Sequence, residues 1–151
     1  MDSEIKNIHK LLRHTYEKNA WHGPAVKEVL ESIPPEQAHN RLPETHSIIE
    51  LVAHMTAWRF FVIKKLQGDP EYKVAEQMNF PSVTNWLDAI LELDKSQAEL
   101  LKALEGFDSA RLFEIVKHGS YQYSYYTLLH GIIHHDLYHT GQIAIIKKQP
   151  F

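Results

Sequence analysis

Hydrophobic residues recur every three or four positions in four long segments of this 151-residue chain. That spacing is typical of one buried face of an α-helix. The pattern predicts helices over about residues 3–32, 47–67, 82–106 and 127–149. Four amphipathic helices with no substantial strand indicate an all-α fold, an up-down four-helix bundle. We expect a single domain over residues 1–151.

Local signals refine two of these helices. The Gly23-Pro24 pair interrupts the first periodic segment, which predicts a kink or a brief break near Trp21. Ser47 is followed three residues later by Glu50, which is the pattern of a capping box at a helix N-terminus. The second helix is therefore predicted to begin at Ser47.

The segments around the third helix are less regular. Residues 69–81 are polar and aperiodic, which predicts a loop, and residues 108–114 suit one short helical turn. In the segment from Lys117 to Tyr126, alternation of Tyr121, Tyr123 and Tyr125 with polar residues indicates a strand or hairpin too short to build a sheet alone. The third helix is predicted to face inward with Trp86, Leu87, Ile90, Leu93, Leu100, Leu101 and Leu104.

Composition removes several classes of function. With 44% hydrophobic residues the chain can bury a core, and with no cysteine it has no disulfide, thiolate zinc site or cysteine nucleophile. A net charge of -3 argues against a broad basic surface for nucleic acid. No apolar stretch approaches the roughly 20 residues that span a bilayer, so we expect a cytoplasmic protein with no membrane partner. The unusual feature is histidine, with 11 copies.

Helical geometry divides the histidines of the last predicted helix into two groups. A helix turns about 100° per residue, so His139 lies about 40° from His135, on the apolar stripe that faces the interior. His130 and His134 lie about 140° and 100° from His135, on the flank or outside. Two histidines one turn apart can chelate a divalent metal, and only the inward pair is shielded from solvent.

The second helix offers a third ligand. His54 shares a stripe with Leu51, Trp58 and Phe61, each within about 60° of it, and we expect Trp58 to lie beside the site. An imidazole on such a face needs a partner, because burying it unpaired costs roughly 1 to 3 kcal/mol. The partner is either a hydrogen bond in the core or a metal shared with His135 and His139.

Three neutral imidazoles favour zinc, nickel, copper or iron over magnesium or calcium, and three ligands leave one coordination position open. The H-x-x-x-H pair has Asp136 in place of the glutamate of metalloproteases. Asp136 lies about 100° past His135, too far round the helix to serve as that base. Glu50, about 40° from His54, is the acidic residue on a metal-facing stripe. The remaining eight histidines are predicted to be solvated or capping residues.

Three segments resemble one known family. They are HGIIHHDLYHTGQIAIIKK (residues 130–148), HSIIELVAHMTAWR (residues 46–59) and WHGPAVKEVL (residues 21–30). The first contains the pattern H-D-x-Y-H-x-G-Q-I intact. On these segments the chain resembles the DinB-like, or YfiT/DinB, metalloenzyme superfamily over nearly its whole length.

The resemblance implies a four-helix bundle whose metal ligands are His54, His135 and His139, with zinc or nickel as the usual metal. Gln142 would then lie beside the site, and Gly141 would allow close helix approach or be a packing glycine. The resemblance also implies a homodimer. In some members of the family the open metal position takes a low-molecular-weight thiol.

These features predict a metal-dependent enzyme acting on a small-molecule substrate, either a hydrolase or a thiol S-transferase. Any thiol must arrive with the substrate, because the chain has no cysteine. Tyr138 and the tyrosines of Tyr121 to Tyr126 either contribute phenolic donors at a pocket rim or pack at the bundle end or a dimer contact. The alternative function is a non-catalytic, stress-associated protein in which the metal stabilises the bundle.

Overall fold

The computed structural model describes residues 3–118 and 121–151, without the side chains of residues 117, 118 and 121. The described residues form six α-helices, two short 3₁₀ helices (Pro35–Gln37 and Ser109–Arg111) and one hairpin. The helices are α1 (Ser3–Tyr16), α2 (Val26–Leu30), α3 (Ile48–Leu66), α4 (Glu76–Asn79), α5 (Trp86–Glu105) and α6 (Tyr125–Ile146). The strands β1 (Ile115–His118) and β2 (Tyr121–Ser124) pair antiparallel, with Ile115 opposite Ser124.

Four long helices build the core. Helix α3 packs against α5 and α6, and α1 packs against the same two helices. The buried apolar residues of all four meet in two clusters, one of which includes Ile8, Phe61, Leu100 and Leu129. The predicted all-α fold is confirmed, whereas the up-down order of the helices and the one-domain organisation stay predictions.

The first predicted helix is divided into two. The predicted break near Trp21 is confirmed but is longer than expected, because α1 ends at Tyr16 and α2 begins only at Val26. Asn19 and Gly23 between them have φ angles of 62° and 128°, which a helix cannot contain. The segment predicted over residues 3–32 is therefore two helices separated by residues 17–25.

The third helix begins later than predicted. Asn85 is its N-cap and accepts a hydrogen bond from the backbone N–H of Asp88, so α5 starts at Trp86 rather than at Ser82. The inward side is predicted correctly for Trp86 and Leu93, which are buried, but Leu87 is 65% exposed.

The predicted hairpin is confirmed, although it ends before Tyr125. The Ser124 hydroxyl accepts a hydrogen bond from the backbone N–H of Thr127 and caps α6, so Tyr125 is the first residue of this helix. The helix ends at Ile146, three residues short of the predicted Gln149. The predicted phenolic role of Tyr121 lies outside the described side chains.

Two features of α3 position the candidate site. The predicted capping box is confirmed, because Ser47 and Glu50 bond each other's backbone N–H. The predicted loop over residues 69–81 contains the short helix α4, which packs back onto α3. None of the helices in the described part of the chain is long and apolar enough to cross a membrane.

Candidate metal centre

Three of the eleven histidines converge where α3 meets α6. His54 lies on α3 and His135 and His139 lie one turn apart on α6. One ring nitrogen from each lies within 4.8 Å of the other two, and the Nε2 atoms of His54 and His135 are 3.0 Å apart. His54 and His139 are buried and His135 is partly buried. The structure thus brings together the three residues predicted from the sequence, and metal binding by them stays a prediction.

Two of the rings are oriented by acceptors on their outer nitrogens. His54 Nδ1 lies 2.6 Å from the backbone carbonyl oxygen of Asn79, and His139 Nδ1 lies 2.7 Å from Oε1 of Gln142. Both oxygens only accept, so each Nδ1 carries the proton and donates it. The Nε2 atoms of His54 and His139 consequently carry lone pairs rather than protons, which is the arrangement of metal-binding histidines.

His135 lacks such a partner. Its Nδ1 is buried with no hydrogen bond among the described residues, while its Nε2 faces that of His54. Leaving a buried polar nitrogen unsatisfied costs about 1 to 3 kcal/mol. The hydrogen bonding of the cluster is therefore incomplete, and a donor set of three neutral imidazoles fits a divalent metal ion.

Burial keeps all three imidazoles neutral. It lowers the pKa of His135 to about 3, with further lowering from His139 and His54. Burial also lowers the pKa of His54 and of His139, although their bonds to Asn79 and Gln142 oppose the shift. A metal needs neutral imidazole, so the site is in its ligating protonation state at neutral pH.

The C-terminal end of α4 and the residue after it form one wall of the centre. Asn79 accepts from His54 through its backbone and from Trp58 Nε1 through its side-chain oxygen, at 2.9 Å. The Phe80 ring stacks on His54 with 4.1 Å between centroids, and His46 stacks on the other side of Phe80 at 3.5 Å. The sequence pattern missed Asn79, Phe80 and His46, because a polar, aperiodic segment carries no signal of where it folds back.

A buried ion pair lies directly behind the site. Arg59 is fully buried, and its Nη2 donates to Asp136 Oδ2 at 2.6 Å while its Nε donates to the same carboxylate. Gln97 of α5 accepts from Arg59 Nη1 at 2.8 Å and so links a third helix. Asp136 follows His135 in the chain, so the pair anchors the backbone that carries the ligands. In the sequence, Arg59 and Asp136 each lie inside a segment that resembles the family, residues 46–59 and residues 130–148.

The remaining predicted pocket residues occupy different places. Glu50 Oε2 accepts a hydrogen bond from the backbone N–H of Ser47 at 2.7 Å. This bond is the largest of the causes that hold the pKa of Glu50 below its ordinary value. Tyr138 is 67% exposed, and its ring lies 5.0 Å from that of His139. Trp58 contacts His135 at 6.1 Å between ring centroids. Their roles in the site stay predictions.

Two pockets open beside the cluster. One of about 240 Å³ lies between α3 and α6 and has Trp58 and His135 in its wall. The other, of about 430 Å³, has His46, His139 and Gln142 in its wall. Adjacent turns of α6 therefore present one histidine of the cluster to each pocket.

The fold and the cluster define a helical protein with a three-histidine group of the kind that holds a metal. A family model of the DinB superfamily matches residues 20–143, so the chain belongs to the DinB superfamily. This confirms the family predicted from the three sequence segments. No curated protein and no solved structure gives a significant match.

Proposed function

We propose that this protein is a metal-dependent enzyme that transfers a low-molecular-weight thiol to a small-molecule electrophile. His54, His135 and His139 would hold the metal. The convergence of the three imidazoles across α3 and α6 carries the proposal. Zinc or nickel suits this donor set, and both are expected from the family resemblance.

A divalent metal bound here supplies Lewis acidity at an open coordination position, where it favours the ionised form of a thiol or of water. The chain supplies the arrangement around that position. Asn79 and Gln142 fix two rings through their Nδ1 atoms, and Phe80 covers one face of His54. These contacts leave the Nε2 atoms preorganised and partly excluded from water.

Thiol transfer is favoured over hydrolysis because the acidic residues near the ligands are engaged with other partners. Glu50 is engaged in the capping box and Asp136 in the ion pair with Arg59. Neither is available as a general base, so deprotonation depends on the metal. A thiol with a pKa near 8.5 is deprotonated far more readily than water, whose pKa is about 15.7. Hydrolysis is the second candidate reaction for the same site.

Metal content and activity test the proposal together. Protein purified without a histidine tag is expected to contain about one metal ion per chain, and to accelerate the reaction of 2-mercaptoethanol with 1-chloro-2,4-dinitrobenzene. In that reaction the sulfur replaces chloride on the ring, and the thiol proton goes to solvent. His139→Ala should abolish the acceleration. A metal-free wild-type protein that cannot be loaded with zinc or nickel would refute the proposal.

The alternative role is structural, since a metal shared by His54 and His135 would join α3 to α6 through their Nε2 atoms. A non-catalytic, stress-associated protein of this kind would lose thermal stability on chelation yet show no activity with any thiol or ester tested. Retained activity in the His139→Ala variant would likewise point away from catalysis at this centre.

A further inference from the structure

The pocket between α3 and α6 has an apolar wall. Trp58, Phe61 and Val62 of α3 form one side, and Leu128, Ile132 and His135 of α6 form the other. Tyr123 and Thr127 add uncharged hydroxyl groups to the wall. Its described lining residues include no acidic residue, lysine or arginine. A charged molecule entering it would lose hydration without gaining a counter-charge, which is costly.

We propose that this pocket binds an apolar, uncharged small molecule and places its reactive end at His135. The assignment of that molecule as the electrophilic substrate rests on the proposed function. The volume of about 240 Å³ is ample for such a group. A dry apolar cavity of about 150 Å³ already binds benzene, so a two-ring aromatic or branched alkyl group is the expected size class.

The second pocket differs in chemistry and supports this division. Alongside apolar residues such as Leu51 and Ile146, its wall includes the polar side chains Glu44, Thr45, His46 and Gln142, with His139 among them. A polar thiol co-substrate suits that side of the cluster. The two substrates would then approach the centre through different pockets, one beside His135 and the other beside His139.

Gly131 provides a direct way to fill the apolar pocket. It lies in the pocket wall on α6, and a Cβ added to it meets no other atom within 4 Å. A large side chain there would occupy pocket space without a backbone clash. Gly141 is a matched control, because it lies on the same helix, also has nothing within 4 Å of an added Cβ, and lines neither pocket. Its predicted role in close helix approach is therefore wrong.

The test titrates prodan, a neutral fluorophore built on a two-ring naphthalene, into the tag-free protein and follows both probe emission and tryptophan quenching. Saturable binding is expected for the wild type and for Gly141→Phe. Gly131→Phe should weaken it by about tenfold or more, with unchanged metal content and melting temperature. Equal binding by Gly131→Phe, or equal loss in Gly141→Phe, overturns the inference.

Two further measurements separate this inference from the metal proposal and from a dimer contact. A metal-loaded wild type that does not bind the probe overturns the inference and leaves the metal proposal intact, whereas probe binding by His54→Ala without metal upholds the pocket by itself. Light scattering tests for a second copy of the chain as occupant. Suppose that the wild type is a dimer that binds the probe only after dilution, and that Gly131→Phe is a monomer. The pocket would then be a dimer contact and not a ligand site.

Discussion

His54 and His135 face each other across the α3–α6 interface with their Nε2 atoms 3.0 Å apart. The proton of His54 is committed to Asn79, so His135 must donate its own Nε2 proton to make this contact, which leaves His135 Nδ1 as a buried acceptor without a donor. A cation between the two rings would instead bind both Nε2 lone pairs, with the His135 proton carried on Nδ1.

Removing either imidazole should abolish stoichiometric metal binding. His54→Ala and His135→Ala each leave two ligands, and we expect less than about a tenth of the wild-type zinc affinity, measured by isothermal titration calorimetry. His134→Ala is the matched control, because His134 adjoins His135 but is exposed. Equal metal content in all four proteins would contradict the assignment.

Gln142 should tune the affinity without supplying a ligand. Gln142→Leu removes the acceptor that holds His139 Nδ1 at 2.7 Å. Losing such a partner typically lowers metal affinity about 10- to 100-fold. Gln142→Glu retains an acceptor oxygen and is expected to restore most of the affinity. If the leucine variant binds metal as tightly as the wild type, Gln142 has no orienting role.

The Arg59–Asp136 pair should show strong coupling in stability. Arg59→Leu leaves a buried carboxylate unpaired and is expected to lower the free energy of unfolding by about 3 to 5 kcal/mol, measured by urea denaturation. Replacing both residues by leucine removes both charges, so the double variant should recover part of the loss. Should the single variant prove insoluble, Asp136→Asn gives a milder test of the same bond. Additive effects of the two leucine substitutions would exclude the coupling.

Glu50 distinguishes a capping residue from a catalytic base. Glu50→Ala breaks the capping box and should cost about 1 kcal/mol of unfolding free energy, whereas Glu50→Gln keeps an oxygen acceptor for the Ser47 N–H and should cost less. We expect thiol transfer by the glutamine variant to remain within about twofold of the wild type. Loss of activity in Glu50→Gln at unchanged stability would instead assign Glu50 as the base.

The metal-free protein should lose stability as the pH falls below about 6.5. The pKa of His135 is about 3 in the folded protein and near 6.5 when exposed, so between these values the unfolded chain binds the extra proton. The slope for one histidine reaches about 1.4 kcal/mol per pH unit. Denaturation of the EDTA-treated protein at pH 7 and pH 5 should show a smaller difference for His135→Asn than for His134→Asn. The same difference in both variants would be inconsistent with this titration.

Periodicity predicts which histidines of the candidate metal centre share a helix face. Residues four apart on one helix share a face whatever the tertiary structure, so His135 and His139 were paired and His134 was set aside. Ser47 and Glu50 are three residues apart, and their capping box was predicted for the same local reason. The all-α class follows from four such periodic segments, because each must bury its apolar stripe against another.

Tertiary structure decided which residues surround the ligands. Asn79 lies 25 positions from the His54 ring it orients, and Asp136 lies 77 positions from Arg59. Such pairs depend on where a polar segment returns to α3 and on how α3 and α6 align, which no spacing along the chain determines. The sequence by itself established which side chains share a helix face. Only the packing of α3, α4 and α6 decided their hydrogen-bond partners and the pockets beside them, because burial of distant segments against one another sets both.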